Sequence, residues 1–146
     1  MTVGPVSRDA ATAEFFDGTA AGRFLLRHCT ACDGLCAPQA AQCEHCCSTA
    51  LDWRPAAGDA TLVSWTVAHG RPDASGTVSR TIVCIAELAE GPWWWSRIVD
   101  ADPAQLRVGT PLRISFQRHD AQHEAVPVFV TADGIPALPT HRRRNT

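Results

Sequence analysis

The sequence contains no lysine: its 13 basic residues are all arginine, and 15 acidic residues give a formal net charge of −2. None of its apolar runs approaches the ~20 residues that a helix needs to cross a bilayer, which argues against a transmembrane helix. The N-terminus also lacks the basic and apolar regions of a secretory signal. These absences lead us to expect a cytoplasmic protein without membrane contact.

Local motifs that carry common catalytic chemistry are absent as well. There is no GxSxG turn, HExxH helix, phosphate-cradling glycine loop or dinucleotide fingerprint. Cys84 lies in the apolar stretch TIVCIAEL with no evident base nearby, which favours a buried small side chain over a reactive thiol. We therefore predict no catalytic residue.

Cysteine is the residue type in excess. The sequence has seven cysteines, an odd number in a chain without a secretory signal, which favours metal binding or reactive thiols over a disulfide framework. Six of them lie between Cys29 and Cys47. The cysteine chemistry is therefore local.

The cluster contains two CxxC motifs, formed by Cys29 with Cys32 and by Cys43 with Cys46. Four thiolates at tetrahedral corners are the usual ligands of structural zinc, and each CxxC turn presents two sulfurs on one side. Iron in a rubredoxin-like site would use the same ligands, and Cys47 could replace Cys46 as the fourth. Because four thiolates leave no open position for water, we expect a structural rather than a catalytic site.

The neighbours of the motifs have predicted roles of their own. Asp33 and Gly34 can adopt the positive φ that such turns often need. Cys36 and Cys47 are then not needed as metal ligands. His45 is expected beside the metal site or in solvent.

The sequence pattern of the second half of the chain predicts short strands separated by turns. Residues such as Val63, Trp65 and Val67 alternate with polar ones, which is the period of a half-buried strand. Asp102 and Pro103 begin a small helical segment with an N-cap and a first-turn proline. Strands are predicted at 60–69, 81–88, 93–99, 112–118 and 126–130. Five strands with a short helix after the third are expected of an OB-fold barrel.

The N-terminal half is predicted to supply a helix and a ribbon. Residues 9–16 are rich in helix formers, and Gly18 and Gly22 are plausible stops. We predict a mainly β protein with four segments: an N-terminal helical segment (1–22), a rubredoxin-like zinc ribbon (23–55), the OB-fold (56–131) and a flexible basic tail (132–146). The tail contains His141 and three arginines, and a solvated tail is favoured over a phosphate-binding one.

Three consecutive tryptophans are the most unusual feature. On a strand, Trp93 and Trp95 share one face with Arg97, whereas Trp94 points to the opposite face. Both faces cannot belong to one small core, so at least one indole is expected at the surface, where Trp and Arg are typical interface anchors. We predict that Trp93, Trp95 and Arg97 belong to a surface that binds a partner or a ligand, which His69 could also reach.

The order of motifs resembles a known family. It comprises FFDGTAAGRFLLRHCTAC, CEHC, SWTVAH, EGPWWWSRIV and RVGTPLRISF, and it covers about residues 14–130. These motifs are similar to those of thiolase-associated proteins that join a rubredoxin-like zinc ribbon to an OB-fold. The resemblance implies a small accessory subunit of a thiolase-like enzyme, an aldolase or a MaoC-type hydratase. It also implies Zn²⁺ bound at Cys29, Cys32, Cys43 and Cys46. With a CoA thioester as the implied ligand, the surface of Trp93, Trp95, Arg97 and His69 becomes a candidate partner or acyl-CoA surface.

Two other functions are compatible with parts of the sequence. OB-folds and zinc ribbons bind single-stranded nucleic acid elsewhere, but a net acidic chain without lysine is a poor electrostatic match for phosphate. A stand-alone thiol enzyme using Cys36 or Cys47 is permitted by the clustering and supported by nothing else. We therefore expect an accessory subunit that helps to hold or channel an acyl-CoA thioester.

Overall fold

The structure is a computed structural model that describes residues 3–132, so the predicted basic tail lies almost wholly outside the described residues. It contains one α-helix, eight strands and one 3₁₀ turn. Their bounds are α1 Ala13–Ala20, β1 Leu25–Cys29, β2 Leu35–Cys36, β3 Leu51–Pro55, β4 Asp59–His69, β5 Arg80–Leu88, β6 Trp93–Ile98, the 3₁₀ turn Pro103–Gln105, β7 Pro111–Arg118 and β8 Ala125–Thr131.

The ribbon is a small antiparallel sheet in the order β2-β1-β3. Its central strand, β1, pairs Cys29 with Leu51 on β3, so the first CxxC motif begins where the sheet ends. Only two residues of β2 pair with β1, and the long connection to β3 carries the second motif. Such a sheet is too small for a sizeable apolar core and depends on another stabilising element.

The remaining strands close into a barrel in the order β4-β5-β6-β8-β7. Neighbours are antiparallel except β6 and β8, which run parallel through the pair Ile98 and Phe129. This is the five-stranded OB-fold that the sequence predicts, and the mainly β fold class with a four-cysteine ribbon is confirmed. The observed strand ends lie within one residue of the predicted ones.

Alternating burial explains why the barrel strands could be predicted. On β5, Ile82, Cys84, Ala86 and Leu88 are buried, and the residues between them are more exposed. A change of register between Leu62 and Ser64 interrupts the pairing of β4 with β5. β8 instead is buried at successive residues, because α1 packs against it as well.

The segment between β6 and β7 is shorter than a regular helix. Asp102 caps it as predicted, since its carboxylate accepts a hydrogen bond of 2.9 Å from the N–H of Ala104. The helical turn itself covers only three residues, and Gly109 follows at φ 90°. Leu106, just after the turn, is buried and belongs to the barrel core.

The N-terminal helix begins later than predicted. Asp9 and Thr12 form a closed turn in which the N–H of each residue donates to the other's side chain, so the helix starts only at Ala13. Gly18 lies inside the helix rather than ending it. Gly22, at φ 75°, ends it as predicted. Within residues 3–132, no helix is long and apolar enough to span a membrane.

Candidate metal centre and aromatic groove

The four cysteines of the two CxxC motifs meet at one point. Their sulfur atoms all lie within 4.8 Å of one another. The Sγ atoms of Cys29 and Cys46 are 3.5 Å apart, and those of Cys32 and Cys43 are 3.6 Å apart. Tetrahedral ligands about 2.3 Å from a zinc ion have sulfurs at nearly this spacing. The donor set and its geometry therefore fit the ion that the sequence predicts.

The two motifs have the same local structure. In the first, the N–H of Asp33 donates to the carbonyl of Cys29 over 2.8 Å, and in the second that of Cys47 donates to Cys43 over 2.9 Å. Asp33 and Cys47 also share a left-handed conformation, with φ of 64° and 63°. Cys47 is thus the turn residue that follows a CxxC motif, and Cys46 supplies the fourth sulfur of the group.

Backbone amides prepare the first cysteine of each motif for ionisation. The N–H of Cys32 stabilises the thiolate of Cys29 and lowers its pKa, although burial opposes this. Burial also opposes ionisation of Cys43, but the N–H groups of His45 and Cys46 outweigh it and lower the pKa to about 6. A lowered pKa favours metal binding, because the thiolate is the form that binds.

A glycine is required at position 34 because a side chain would collide with its neighbours, not because the backbone has a positive φ. A Cβ at this position would lie 2.6 Å from Cδ2 of His45 and 3.2 Å from Sγ of Cys32. His45 therefore packs across the first motif, and its Nε2 lies 3.3 Å from the carbonyl oxygen of Leu35. The prediction of a left-handed pair is correct for Asp33 and wrong for Gly34.

Two groups near the sulfurs have no predicted role. Cys36 is fully buried beside the cluster, where burial raises its pKa. His28 bridges two carboxylates: one ring nitrogen contacts Asp33, and the other lies 2.7 Å from Oδ1 of Asp52. Hydrogen bonds to Asp33 and Asp52 raise the pKa of His28. This bridge ties the first motif to β3, and no sequence pattern indicated it.

The three tryptophans of β6 alternate between the two faces of the strand, as predicted. The side chains of Trp93 and Trp95 are 50% and 73% exposed. Trp94 points the other way and packs on Phe15 and Phe24, with ring centroids 6.1 and 5.2 Å apart. Arg97 is half-buried at the far end of the strand.

His69 and Cys84 lie on strands β4 and β5 rather than on β6. His69 is exposed at the end of β4, opposite Arg80 in the strand pairing. Cys84 points into the barrel, and burial raises its pKa to about 11. Its thiol therefore stays protonated and behaves as the small apolar side chain that the sequence predicts.

A groove of about 1340 Å³ runs between the ribbon, the N-terminal segment and the barrel. Four of the five tryptophans line it, namely Trp53, Trp65, Trp94 and Trp95. Its remaining walls come mainly from aliphatic residues of the N-terminal segment, from residues 38–41 of the ribbon and from strands β4, β5, β6 and β8. The groove was not predicted, because it forms only where three separate segments meet.

Comparison with known proteins gives a consistent set of relatives. The family described as the C-terminal OB-fold domain of ChsH2 matches residues 53–117. A protein named probable enoyl-CoA hydratase alpha subunit, from Thermomonospora curvata, is 29% identical over 134 residues, which are 92% of this chain. The present chain spans only 39% of the length of that relative.

Solved structures agree with these matches. A chain of the Ltp2–ChsH2(DUF35) aldolase structure is 28% identical to this chain, with a TM-score of 0.73. The similarity covers 86% of this chain and 98% of the other. A DUF35-family protein of unknown function from Sulfolobus solfataricus is 15% identical with a TM-score of 0.56, covers 84% of this chain and 85% of its own, and supports the fold alone.

Proposed function

We propose that the chain belongs with the ChsH2/DUF35 proteins that join a ribbon to an OB-fold, and that it is a non-catalytic accessory subunit of an enzyme complex that acts on acyl-CoA thioesters. The observation that carries this proposal is the similarity to the chain of the Ltp2–ChsH2(DUF35) aldolase, which extends over nearly the whole of that chain. The partner would be an aldolase, a thiolase-like enzyme or a MaoC-type hydratase. Chemistry at the thioester would belong to that partner.

In this proposal the metal is structural zinc. Cys29, Cys32, Cys43 and Cys46 would hold it, and four thiolates would leave no position for water or substrate. Binding of such an ion is worth on the order of 10 kcal/mol or more, which is enough to fold a ribbon that has almost no apolar core of its own. The ion would thereby keep the ribbon in shape for docking on the partner.

The exposed face of β6 is the proposed contact surface. Trp93 and Trp95 together with Arg97 present aromatic area and a cation, the residue types that anchor protein interfaces. Trp93 is held in place by a hydrogen bond of 3.1 Å from its Nε1 to Glu87. Exposed His69 remains a further candidate for this surface. The OB-fold would then help to enclose the pantetheine arm or acyl chain beside the catalytic residues of the partner.

Affinity purification of the tagged chain from its own cells, with mass spectrometry of the bound proteins, tests the proposal. We expect stoichiometric recovery of an aldolase, a thiolase-like enzyme or a hydratase. Recovery of no enzyme from cells that contain its acyl-CoA substrates would contradict the proposal. Salt-sensitive binding of a single-stranded oligonucleotide, without such an enzyme, would instead support the nucleic-acid alternative.

A further inference from the structure

Strand β4 has an unpaired edge beyond the start of β7. On one side, β4 pairs with β5 over residues 60–69. On the other side, it pairs with β7 only over residues 59–61, and the loop that precedes β7 adds hydrogen bonds at Leu62. Residues 63–69 therefore continue past β7 with one side open.

The register of the β4–β5 pairing identifies the main-chain groups at this open edge. The N–H of Gly70 donates to the carbonyl of Ser79 over 2.8 Å, so these residues form a hydrogen-bonded pair of the ladder. Hydrogen-bonded and non-hydrogen-bonded pairs alternate along antiparallel strands. The N–H and C=O groups of Trp65, Val67 and His69 therefore point away from β5. No residue from 3 to 132 forms a hydrogen bond with them.

The open edge lacks the features that prevent strands from pairing. Natural edge strands are often very short or carry charged residues or proline. In the ribbon, β2 has two residues, and β3 contains Asp52, Arg54 and Pro55. Residues 63–69 (VSWTVAH) contain no acid, lysine, arginine, proline or glycine. Such a strand is a template on which a further strand can form.

The open edge is accessible and preorganised. Trp65 and Val67 pack against the barrel core and hold the strand in place. The other side chains from 64 to 69 are exposed, namely Ser64, Thr66, Ala68 and His69. A strand that is already extended loses little conformational entropy when another strand pairs with it.

Positive charge lies at one end of the open edge. Arg71 follows the strand, and Arg80 lies opposite His69 in the β4–β5 register. Both arginines are exposed, and neither forms an ion pair or a side-chain hydrogen bond with residues 3–132, unlike several other exposed arginines. Asp73 is the only acid of the connecting loop 70–79, and its carboxylate already accepts hydrogen bonds from two residues of that loop. This end of the edge is therefore complementary to a carboxylate.

We propose that the open edge of β4 binds an extended segment of a partner protein as an added strand, with carboxylates of that segment at Arg71 and Arg80. Main-chain hydrogen bonds would hold the segment, and the arginines would select it. A nucleic acid has no peptide groups to continue the sheet, and the open edge of a second copy contains no carboxylate. That the partner is an acyl-CoA enzyme rests on the proposed function, whereas the open edge rests on the strand register alone.

Amide-resolved hydrogen exchange tests the open edge on the full zinc-loaded chain, alone and with the enzyme that co-purifies with it. In the free chain, the amides of Trp65 and Val67 should exchange at least about tenfold faster than those of Thr66 and Ala68, which face β5. Binding of the enzyme should slow the first two by about tenfold or more. Protection already present in the free chain, or exchange that the enzyme leaves unchanged, would overturn the proposal.

Variants of one residue test the main-chain pairing. Val67→Pro removes an N–H that points outward and leaves the hydrogen bonds to β5 in place, so it should weaken binding of the enzyme by about tenfold or more. Val67→Thr is the matched control, because it keeps both the N–H and the branched side chain. Full affinity of a folded Val67→Pro protein would overturn the proposal.

Charge reversal tests the carboxylates without altering the backbone, and so stays informative if Val67→Pro does not fold. Arg71→Glu and Arg80→Glu should each weaken binding of the enzyme by about fivefold, mainly through slower association. Arg23→Glu is the control, since Arg23 is exposed and precedes β1, away from β4. Unchanged affinity in both β4–β5 variants would overturn the placement of carboxylates at this end.

A probe peptide separates this proposal from the accessory role. The probe alternates valine and threonine and ends in two glutamates, and its control ends in two lysines. Protection of the Val67 amide by the acidic peptide alone, without any co-purifying enzyme, would support the edge site and contradict the accessory role. A co-purifying enzyme that leaves this amide unprotected would support the accessory role and overturn the edge site. Protection that rises with the concentration of the chain itself, or that a single-stranded oligonucleotide produces, would overturn the partner strand in favour of a second copy or a nucleic acid.

Discussion

Cys47 occupies in the second CxxC motif the position that Asp33 occupies in the first. Each follows the last cysteine of its motif, and the two φ angles differ by only one degree, at 63° and 64°. Each N–H closes the turn on the carbonyl of the first cysteine. The repeated conformation separates the ligand role of Cys46 from the turn role of Cys47, although the two residues are neighbours with the same thiol.

Substitution of the two neighbours should have opposite results. We expect Cys46→Ser to lower zinc well below one ion per chain and to unfold the ribbon, because one thiolate of four is lost. Cys47→Ser should keep one zinc per chain, since a turn position requires no sulfur. Elemental analysis of freshly purified protein and thermal melts measure both effects. Loss of zinc from the Cys47 variant with retention in the Cys46 variant would reverse the ligand assignment.

Gly34→Ala should destabilise the ribbon by steric overlap. The new Cβ would lie 2.6 Å from the His45 ring, so the ring or the first motif must move, at a cost of about 1–3 kcal/mol in the free energy of unfolding. Gly4→Ala is the matched control, because no atom lies within 4 Å of its Cβ position. Equal melting temperatures for the two variants would show that the His45 ring moves aside freely.

Sequence patterns predicted the elements whose causes are local. The strands follow from alternating burial, such as Ile82 and Cys84 against Val83, and the ligand group follows from the CxxC spacing. The predicted start of α1 was wrong, because the pairing of Asp9 with Thr12 competes with helix formation. Helix propensity contains no information on such a turn.

Features that depend on distant segments escaped prediction. The bridge from His28 to Asp52 crosses from β1 to β3, and the stack of Arg27 on Trp53 joins the same two strands. Neither has a periodic signal, because each depends on the register of the ribbon sheet rather than on spacing along the chain. The groove could not be predicted either, because the N-terminal segment forms one of its walls.

The ion pair between Arg8 and Glu124 should make stability depend on pH. Hydrogen bonds from Arg8 lower the pKa of Glu124 below its ordinary value of 4.5, although burial opposes the shift. A group with a lowered native pKa stabilises the fold above its unfolded pKa, and this contribution is lost as pH falls through the native value. Glu124→Gln should therefore melt at a lower temperature than the parent at pH 7.

The difference between parent and Glu124→Gln should shrink as the pH falls below 4.5, the ordinary pKa. Loss of the metal at low pH affects both proteins and cancels in the comparison. Glu44→Gln serves as control, because Glu44 is exposed and forms no ion pair within residues 3–132. A difference that is the same at pH 7 and pH 3 would show that the ion pair does not titrate as proposed.

Substitutions of two adjacent tryptophans on β6 should have different effects on partner binding and on the free energy of unfolding. Trp95 is 73% exposed, so Trp95→Ala should change the free energy of unfolding by no more than about 0.5 kcal/mol. Because an aromatic anchor of an interface typically contributes 2 kcal/mol or more, the same variant should weaken binding of the co-purified enzyme by about thirtyfold or more. Thermal melts and surface plasmon resonance against that enzyme measure the two effects.

Trp94 provides the comparison within the same strand. It packs on Phe15 and Phe24, so Trp94→Ala should cost about 3–5 kcal/mol in the free energy of unfolding. Trp94→Phe should cost much less, because the indole Nε1 is buried without a hydrogen-bond partner among the described residues and its removal leaves no polar group unpaired. If Trp95→Ala folds and binds the enzyme with full affinity, the proposed contact surface is wrong. If instead Trp95→Ala unfolds as readily as Trp94→Ala, the two faces of the strand do not have the separate roles that their exposure indicates.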